Sequence, residues 1–540
     1  MLLSEFNTND CSPILSTENM RALDSASKKI MAELGDLNKE TRQDASDEIL
    51  AGYELMKEAG AALFKRISEI ASSSKDTNFK VAIFIGGGNN GGDGLVLARL
   101  MQEHGIPFKA YTLANPEKFR NEAKLAYSDY LADQGRLIEI DEKDWPIFSH
   151  KPNFNLVVDC MLGNGAKGEL RPVFAQVVRE INSWNIPVLA ADTPTGYDSL
   201  VHQAQPTCLH AQETMLFGLP RLDAYTREGS VFGRAVVAPL HYPAELIQKY
   251  SDKTFLASEK MISQLLPARD EFGDKRAQGC AMIVAGSLNM TGAAALCTGA
   301  ALRSGVGLAT LAAPQSIQPI LQSKLLEPVF RGMPDQGTGF LQPGNVPLLL
   351  QRAARNEAVA IGPGLSSENS VKETILEFLS KLDDIPVVID ADALNAVAQE
   401  PGIMQAITAP AILTPHVREW ERLFGELPEN TTDYTEVVRN RSMQTGKVLL
   451  LKGAPTFVGI PDGRVYVIAA ANSGVAKGGS GDVLSGIIVA LLAQGIPTAE
   501  AAVLGVLLHS KAGRLAREQK GAFSMLPSDI IECLPQAFSA

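Results

Sequence analysis

The feature that most limits the fold is an alternation of strand-like and helix-like stretches, and the chain carries it twice. β-rich runs at 81–85, 108–112, 137–140, 156–159, 188–192, 213–217 and 235–237 alternate with helical stretches such as Gly94–His104 and Phe174–Trp184. Such alternation predicts a mostly parallel sheet covered on both faces, with right-handed crossovers. A second series runs through 281–285, 308–312, 358–362, 386–390, 411–414, 448–451 and 464–468, and ends in apolar helical stretches at Val483–Ala493 and Ala499–Glu518. Between the two lies His241–Lys275, which has no strand–helix unit and carries Pro243, Pro267 and a charge-rich run at 269–276. An unstructured loop of that length inside one domain is uncommon. The boundary is therefore placed near 245–260. The chain reads as two consecutive three-layer α/β/α domains, residues 1–245 and 255–540. Before residue 74 the pattern is helical, with Tyr53, Met56, Leu63, Phe64 and Ile67 at helical spacing. The Asp24–Glu48 stretch is charge-rich and more weakly patterned.

Composition excludes several classes. A chain of 540 residues with 45% hydrophobic and 20% charged residues is globular and needs more than one core. A net charge of −12 repels a phosphate polymer, so nucleic acid is excluded as a partner. A single nucleotide is not, because a glycine nest and a helix N-terminus suffice to hold a phosphate. Six scattered cysteines without a CxxC pair argue against a zinc ribbon or disulfide framework, and for reduced thiols in a cytoplasmic protein. The opening MLLSEFNTND lacks the pattern of a secretory signal. The longest apolar stretch, near Gly486–Ser510, is broken by Gln494, Gly495, Pro497 and Glu500, so two buried helices are expected there and no membrane span. Trp145, Trp184 and Trp420 read as packing residues.

The first candidate site begins where the apolar run Val81–Ile85 enters Gly86-Gly87-Gly88-Asn89-Asn90-Gly91-Gly92-Asp93-Gly94, followed by a helix at Leu95–Glu103. Exposed backbone N–H groups and a helix dipole suit an anion there. The spacing is neither that of a dinucleotide fingerprint nor that of a P-loop. A βα turn alone needs one or two glycines; six in nine positions with three polar residues points to function. Two more strand ends carry acids. Asp159 leads into Cys160–Glu169, which includes Gly163-Asn164-Gly165-Ala166-Lys167-Gly168-Glu169, and Asp192 leads into Thr193-Pro194-Thr195-Gly196. Ligands of open α/β sheets bind outside the carboxyl ends of the strands, where all three loops lie.

These three segments resemble the epimerase domain of the NAD(P)H-hydrate repair enzymes, over about residues 15–240. The resemblance implies a Rossmann-like domain. It also implies that Asn89, Asn90, Gly91, Gly92 and Asp93, together with Gly163–Glu169, contact the hydrated nicotinamide nucleotide. Asp192 would be the acid/base residue, and Asn90, Asp159 and Thr195 would hold a potassium ion. The family usually has Asp-Ile-Pro-Ser-Gly where this chain has Asp192-Thr193-Pro194-Thr195-Gly196. Threonine keeps the hydroxyl oxygen a cation needs.

The second candidate site is Gly478-Gly479-Ser480-Gly481-Asp482 at the start of an apolar helix. Backbone N–H groups of 479–482 would form an anion hole, with Asp482 able to take a hydroxyl proton beside a phosphoryl group in flight. A helix cap alone does not require such a run of glycines. The motif resembles the ribokinase-like fold. Gly286-Ser287, Thr291–Ala294, Ile361–Leu365, Asp390–Asn395, Leu413–Glu419 and Leu451–Thr456, in this order, resemble the ADP/ATP-dependent NAD(P)H-hydrate dehydratases over about residues 255–535. By that resemblance Ala293, Gly364, His416 and Asp482 would bind the hydrated nucleotide. Lys452, Gly453, Ala454, Pro455, Thr456 and Gly481 would bind ADP or ATP, with Mg²⁺ neutralising the donor's charge. A lone histidine after Thr-Pro is more often structural, and only its motif favours binding.

The leading expectation is one bifunctional enzyme that epimerises R- and S-NAD(P)HX and dehydrates the S form to NAD(P)H, an isomerase and a lyase in one homo-oligomeric chain. Its partners would be NADHX, NADPHX and the phosphate donor. The alternatives are a ribokinase-like vitamin or sugar-alcohol kinase with an inert first domain, and a first domain that serves only as a binding module. Intact Asn90, Asp159 and Asp192 speak against the last.

Overall fold

The strand Val81–Ile85 sets the pattern for the first sheet. Its side chains alternate faces: Val81, Ile83 and Ile85 enter one apolar cluster, and Ala82 and Phe84 enter another on the opposite side. Burial on both faces is why the run has no polar alternation. A computed structural model describes the chain except residues 1–10, 35–44, 77, 141–151, 401 and 540. Trp145 therefore lies outside the described residues; Trp184 and Trp420 are buried.

The described chain divides into two units. One comprises Pro13–Asp252 together with Asn430–Thr432; the other comprises the remainder, with the main division between Asp252 and Lys253. The first unit holds a seven-stranded sheet in the order Arg234–Ala238, Glu213–Phe217, Val188–Ala191, Leu156–Cys160, Val81–Ile85, Phe108–Thr112, Leu137–Glu139. Every neighbouring pair is parallel. Chain order reverses between Val81–Ile85 and Leu156–Cys160, which puts the ligand-binding crevice of such a sheet beside Gly86 and Asp159.

The second unit holds an eleven-stranded sheet. From one edge it runs Cys11–Pro13, Thr254–Ala257, Val465–Ile468, Thr456–Gly459, Val448–Leu451, Ala411–Leu413, Val387–Ile389, Ala358–Ile361, Cys280–Val284, Leu308–Pro314, Val329–Met333. The strand Thr456–Gly459 is antiparallel to both neighbours. The helices Thr291–Arg303, Ser480–Ala493 and Thr498–Lys520 are packed with small and aliphatic residues from the large cluster that includes Ala294, Cys297, Ile487 and Val503.

Three details differ from the sequence expectation. Cys11 and Ser12 belong with the second unit, because the short strand there extends its sheet instead of the first. The residues read as a glycine loop are mostly helix: the helix starts at Asn89, and only Gly86–Gly88 form the turn. Glycine permits this, since a Cβ on Gly91 would lie 1.9 Å from the Gly86 carbonyl oxygen and one on Gly86 only 1.7 Å from that of Met161. Finally, Thr254–Ala257, Val329–Met333 and Thr456–Gly459 add strands that short, partly polar runs did not announce.

Candidate active sites

In the first unit a cavity of about 520 Å³ opens at the reversal point of the sheet. It gathers Gly88, Asn89, Asn90 and Asp93 from the glycine turn and its helix, Gly163, Asn164, Gly165 and Ala166 from the next loop, and Asp192. Gly91 and Gly92 do not line it, being spent on close packing, with a Cβ on Gly92 only 2.4 Å from the Met56 methyl. Lys167, Gly168 and Glu169 are also outside the lining; the Gly168 N–H donates to Asp198 instead, at 2.9 Å.

Asp159 is fully buried. One carboxylate oxygen accepts from the Met161 N–H at 3.0 Å and the Thr195 hydroxyl at 2.8 Å, and the other from the Thr195 N–H at 2.8 Å. Burial lifts its pKa to about 6 against these bonds. Asn90 donates from Nδ2 to the Leu162 carbonyl at 3.0 Å, while its buried Oδ1 has no partner among the described residues. An orphaned amide oxygen costs free energy unless something fills its lone pairs.

Asp192 sits at the strand end with a positive φ of 60°. Its Oδ1 accepts from Nη1 of Arg221, whose Nη2 also donates to the Asp192 carbonyl and to Thr193 Oγ1. Its Oδ2 faces the Asn164 N–H at 3.4 Å. Asp93 is one of three carboxyls in the cavity lining, with Asp24 and Asp192. Burial, then the negative charges of Asp192 and Asp24, push it well above the usual carboxylate range. The helix Thr17–Leu34 contributes Met20, Arg21, Asp24 and Lys28 to the lining, which gives part of the charge-rich Asp24–Glu48 stretch a place in the site. Burial works against the Lys28 charge, but Asp24 at 3.3 Å and Glu122 at 2.9 Å hold its pKa above the ordinary value.

In the second unit Asp482 lies in the first turn of Ser480–Ala493, behind Gly479, whose φ of 102° lets the chain enter the helix abruptly. The first N–H groups of a helix have no intrahelical partner; here that of Ser480 donates to the Lys477 carbonyl at 3.3 Å, and those of Gly481 and Asp482 are open to an anion. Lys452 projects to the same place, its Nζ 3.5 Å from where a Cβ on Gly481 would be. The ammonium pairs with Asp390 at 2.7 Å and lies 3.7 Å from Glu419; Ser485 donates to the other Asp390 oxygen at 2.7 Å. Burial favours a neutral Asp390, yet Lys452 and Ser485 hold it below the usual range. Asp482 gets the opposite treatment: burial, then the Asp390 charge, lift it to about 7.

The remaining expected residues fall into three groups. Ala293 and Gly364 touch, a Cβ on Gly364 lying 2.7 Å from that of Ala293. Lys452 leads into the turn Gly453-Ala454-Pro455 and the strand starting at Thr456, whose hydroxyl donates to the Gly453 carbonyl at 2.9 Å. His416 caps a helix. Its Nδ1 accepts from the Arg418 and Glu419 N–H groups and caps the helix Val417–Phe424, with Glu419 returning a bond to the His416 N–H. Its Nε2 lies 3.5 Å from Glu419. No helix of the described residues is long and apolar enough to cross a membrane.

Both units match known families. Residues 52–222 match the YjeF-related protein N-terminus, and residues 281–536 match NAD(P)H-hydrate dehydratase. A bifunctional NAD(P)H-hydrate repair enzyme of Moorella thermoacetica is 35% identical over 93% of this chain and 95% of its own. The chain belongs to the bifunctional NAD(P)H-hydrate repair enzymes. A repair enzyme of Vibrio cholerae is likewise 35% identical, over 91% of this chain and 95% of its own. Among solved structures, an ADP/ATP-dependent NAD(P)H-hydrate dehydratase of Bacillus subtilis, co-crystallised with ATP and Mg²⁺, is 29% identical with a TM-score of 0.44. It covers 52% of this chain and 96% of its own.

For this repair enzyme the sequence did not point to Arg221, Asp390 or His509. Asp390 stands in the motif Asp390–Asn395, to which the resemblance attached no role. His509 is buried in the long helix and donates from Nε2 to the Ser480 carbonyl at 3.1 Å, beneath the glycine turn; burial lowers its pKa to about 4 and keeps it neutral. A lone histidine in a helical run gives no signal. Arg221, in Leu219-Pro220-Arg221 after a strand, reads as an ordinary surface arginine.

Proposed function

We propose that the family's two reactions run at these two sites, with Asp192 moving the proton of epimerisation and Asp482 that of dehydration. The observation that carries this is the placing of each acid. Each stands beside a glycine turn whose backbone can take a phosphate, Asp192 at the carboxyl end of a parallel strand and Asp482 in the first turn of a helix, near Lys452, which follows the strand Val448–Leu451.

In the first unit the hydrated nicotinamide ring would enter the cavity between Asn90 and Asp192. Interconverting the epimers at the hydroxylated carbon needs ring opening or an iminium, and a proton must leave and return. The carboxylate of Asp192 does this as general acid/base. Asn90, Asp159 and Thr195 would hold K⁺, which fits the unpartnered Asn90 oxygen. When bound, the ion would supply a fixed positive charge at these residues, and Asn90 ties them to the loop leading to Gly163 through its bond to the Leu162 carbonyl.

In the second unit the phosphate donor, ADP or ATP, would place its terminal phosphoryl at the N–H groups of Gly479, Gly481 and Asp482, with Lys452 beside it. Ionised Asp482 takes the proton of the S-hydrate hydroxyl as that oxygen attacks the terminal phosphorus and the donor's P–O bond breaks, releasing AMP from ADP or ADP from ATP. The C6–O bond then breaks, inorganic phosphate leaves pushed by the ring nitrogen lone pair, and loss of a proton from C5 of the resulting iminium restores NADH or NADPH. Among the described residues no group of three or more His, Cys, Asp or Glu side chains is placed to hold a metal. Mg²⁺ characteristically arrives on donor phosphates with one or two carboxylates, so Mg²⁺ would come with ADP or ATP.

The test is a coupled assay with both NADHX epimers, K⁺, Mg²⁺ and ADP or ATP, following recovery of the reduced ring. The wild-type protein should clear both epimers. Asp192→Asn should strand the R form and leave S dehydration intact. Clearance of R at the wild-type rate by that variant would remove Asp192 from the reaction. A phosphorylated product that accumulates would mark a kinase instead.

A further inference from the structure

We propose that Arg221 is the positioning residue of the epimerase site, fixing Asp192 so that one carboxylate oxygen, Oδ2, faces the substrate and moves the proton. The inference rests on the assignment of epimerisation to the first unit, with Asp192 as its acid/base.

Asp192 has a positive φ of 60°, uncommon for a residue with a Cβ though tolerated better by Asp than by most, so contacts that hold it matter. Arg221 holds it from two directions. Nη2 takes the main-chain carbonyl of Asp192 and the Thr193 hydroxyl, the latter at 2.8 Å, while Nη1 takes Oδ1. One planar guanidinium therefore locks the backbone and the carboxylate plane of the same residue. A lysine has no fork with which to do this.

The consequence is an asymmetry between the two oxygens. Oδ1 is committed to the guanidinium. Oδ2 has only the Asn164 N–H at 3.4 Å, and lies 3.6 Å from where a Cβ on Gly163 would be; both residues line the cavity. The basic oxygen is thus presented where the loop expected to hold substrate passes. The Arg221 side chain is only 2% exposed, and Asp223 at 3.8 Å supplies a second counter-charge. The guanidinium is embedded behind Asp192 and holds its far side, which suits a group that orients the acid without moving protons itself.

The experiment compares Arg221→Met and Arg221→Lys in the full chain. It measures R-to-S rates across substrate concentration, S-epimer dehydration by the same protein, and thermal melting. For Arg221→Met, kcat of epimerisation should fall about 100-fold or more with KM within about threefold, as expected when an interaction acts on the reaction step and not on binding. Dehydration should be unchanged, and added guanidinium should return part of the rate. Arg221→Lys keeps the charge and loses the fork, and should lose about tenfold in kcat at unchanged KM. Arg221→Met with kcat within threefold of wild type overturns the proposal, as does a loss carried entirely by KM. If Arg221→Met does not fold, Arg221→Lys melting like wild type carries the test, and wild-type kcat in that protein overturns the proposal. Asp192→Asn run alongside separates the two assignments. If Asp192→Asn stays active, the epimerase assignment falls. If it is dead while Arg221→Lys keeps full kcat, only the positioning role falls.

Discussion

Asp482 carries the residue-scale prediction, because its environment sets when it can act. With a pKa lifted to about 7, it is half protonated at neutral pH. A base must be ionised to take the hydroxyl proton, so kcat/KM of dehydration should rise with pH up to about 7 and level off above. The same shift costs stability. Between about 4 and 7 the folded chain holds a proton that the unfolded chain has released, so this contribution falls as pH rises through that window and stays lost above it. Asp482→Asn should therefore abolish dehydration yet raise the melting temperature at pH 8, with little change at pH 4; calorimetry at the two values checks it, and equal melting at pH 8 would contradict the burial argument. His509 has the opposite sign. Its pKa is lowered from 6.5 to about 4, so the unfolded chain binds the proton first, and its contribution is lost as pH falls through that window. Both acids stand in local sequence patterns, Asp192 directly after a strand and Asp482 directly after a run of glycines at the start of a helix. Arg221 was not, because its meaning lies in Asp192, 29 residues away in the chain. His416 was legible as a position, but its part in a helix cap was not. The sequence does not say which ring nitrogen is used, and the structure spends Nδ1 on a helix cap.

At the scale of elements, the glycines of one motif divide into those that let backbone pass and those that face a ligand. Gly86 and Gly91 belong to the first kind, with backbone oxygens inside 2 Å of any added Cβ. Gly165 belongs to the second, with nothing within 4 Å and a place in the cavity wall. Gly86→Ala should destabilise the first unit by about 1–3 kcal/mol or more, because the strand and the loop after Asp159 must part to admit the methyl. Gly165→Ala should leave stability within about 0.5 kcal/mol and act, if anywhere, on KM. Denaturant titration of the two variants separates the classes, and equal destabilisation would refute the division. The sequence showed the glycine cluster but not this split, which depends on what packs across. The strand order had the same limit. Runs such as Val81–Ile85 and Val448–Leu451 announce themselves by burial on both faces. Thr456–Gly459 does not: it is four residues long, begins with a polar residue at a turn, and is defined by antiparallel partners on either side.

At the scale of the whole molecule, two chemistries in one chain can be uncoupled by an ion instead of a mutation. The groups that would hold K⁺, namely Asn90, Asp159 and Thr195, all belong to the first unit. Nothing in the constellation of Asp390, Lys452, Glu419 and Asp482 calls for K⁺, because Lys452 already supplies the fixed positive charge there. Exchange of K⁺ for a smaller cation should therefore act on one reaction alone. With mixed NADHX epimers, Mg²⁺ and the phosphate donor, K⁺-free protein should restore the S share at the wild-type rate and then stall, and added K⁺ should release the remainder. Asp159→Asn, which removes the charge that would face the ion, should show the same stall without recovery on adding K⁺. Clearance of the R form at full rate without K⁺ would take the ion out of the first unit. Slowing of both phases would place a K⁺ requirement in the second. A clean stall at the S share ties the unpartnered oxygen of Asn90 to the fate of one epimer, because a chain that can only dehydrate leaves the other untouched.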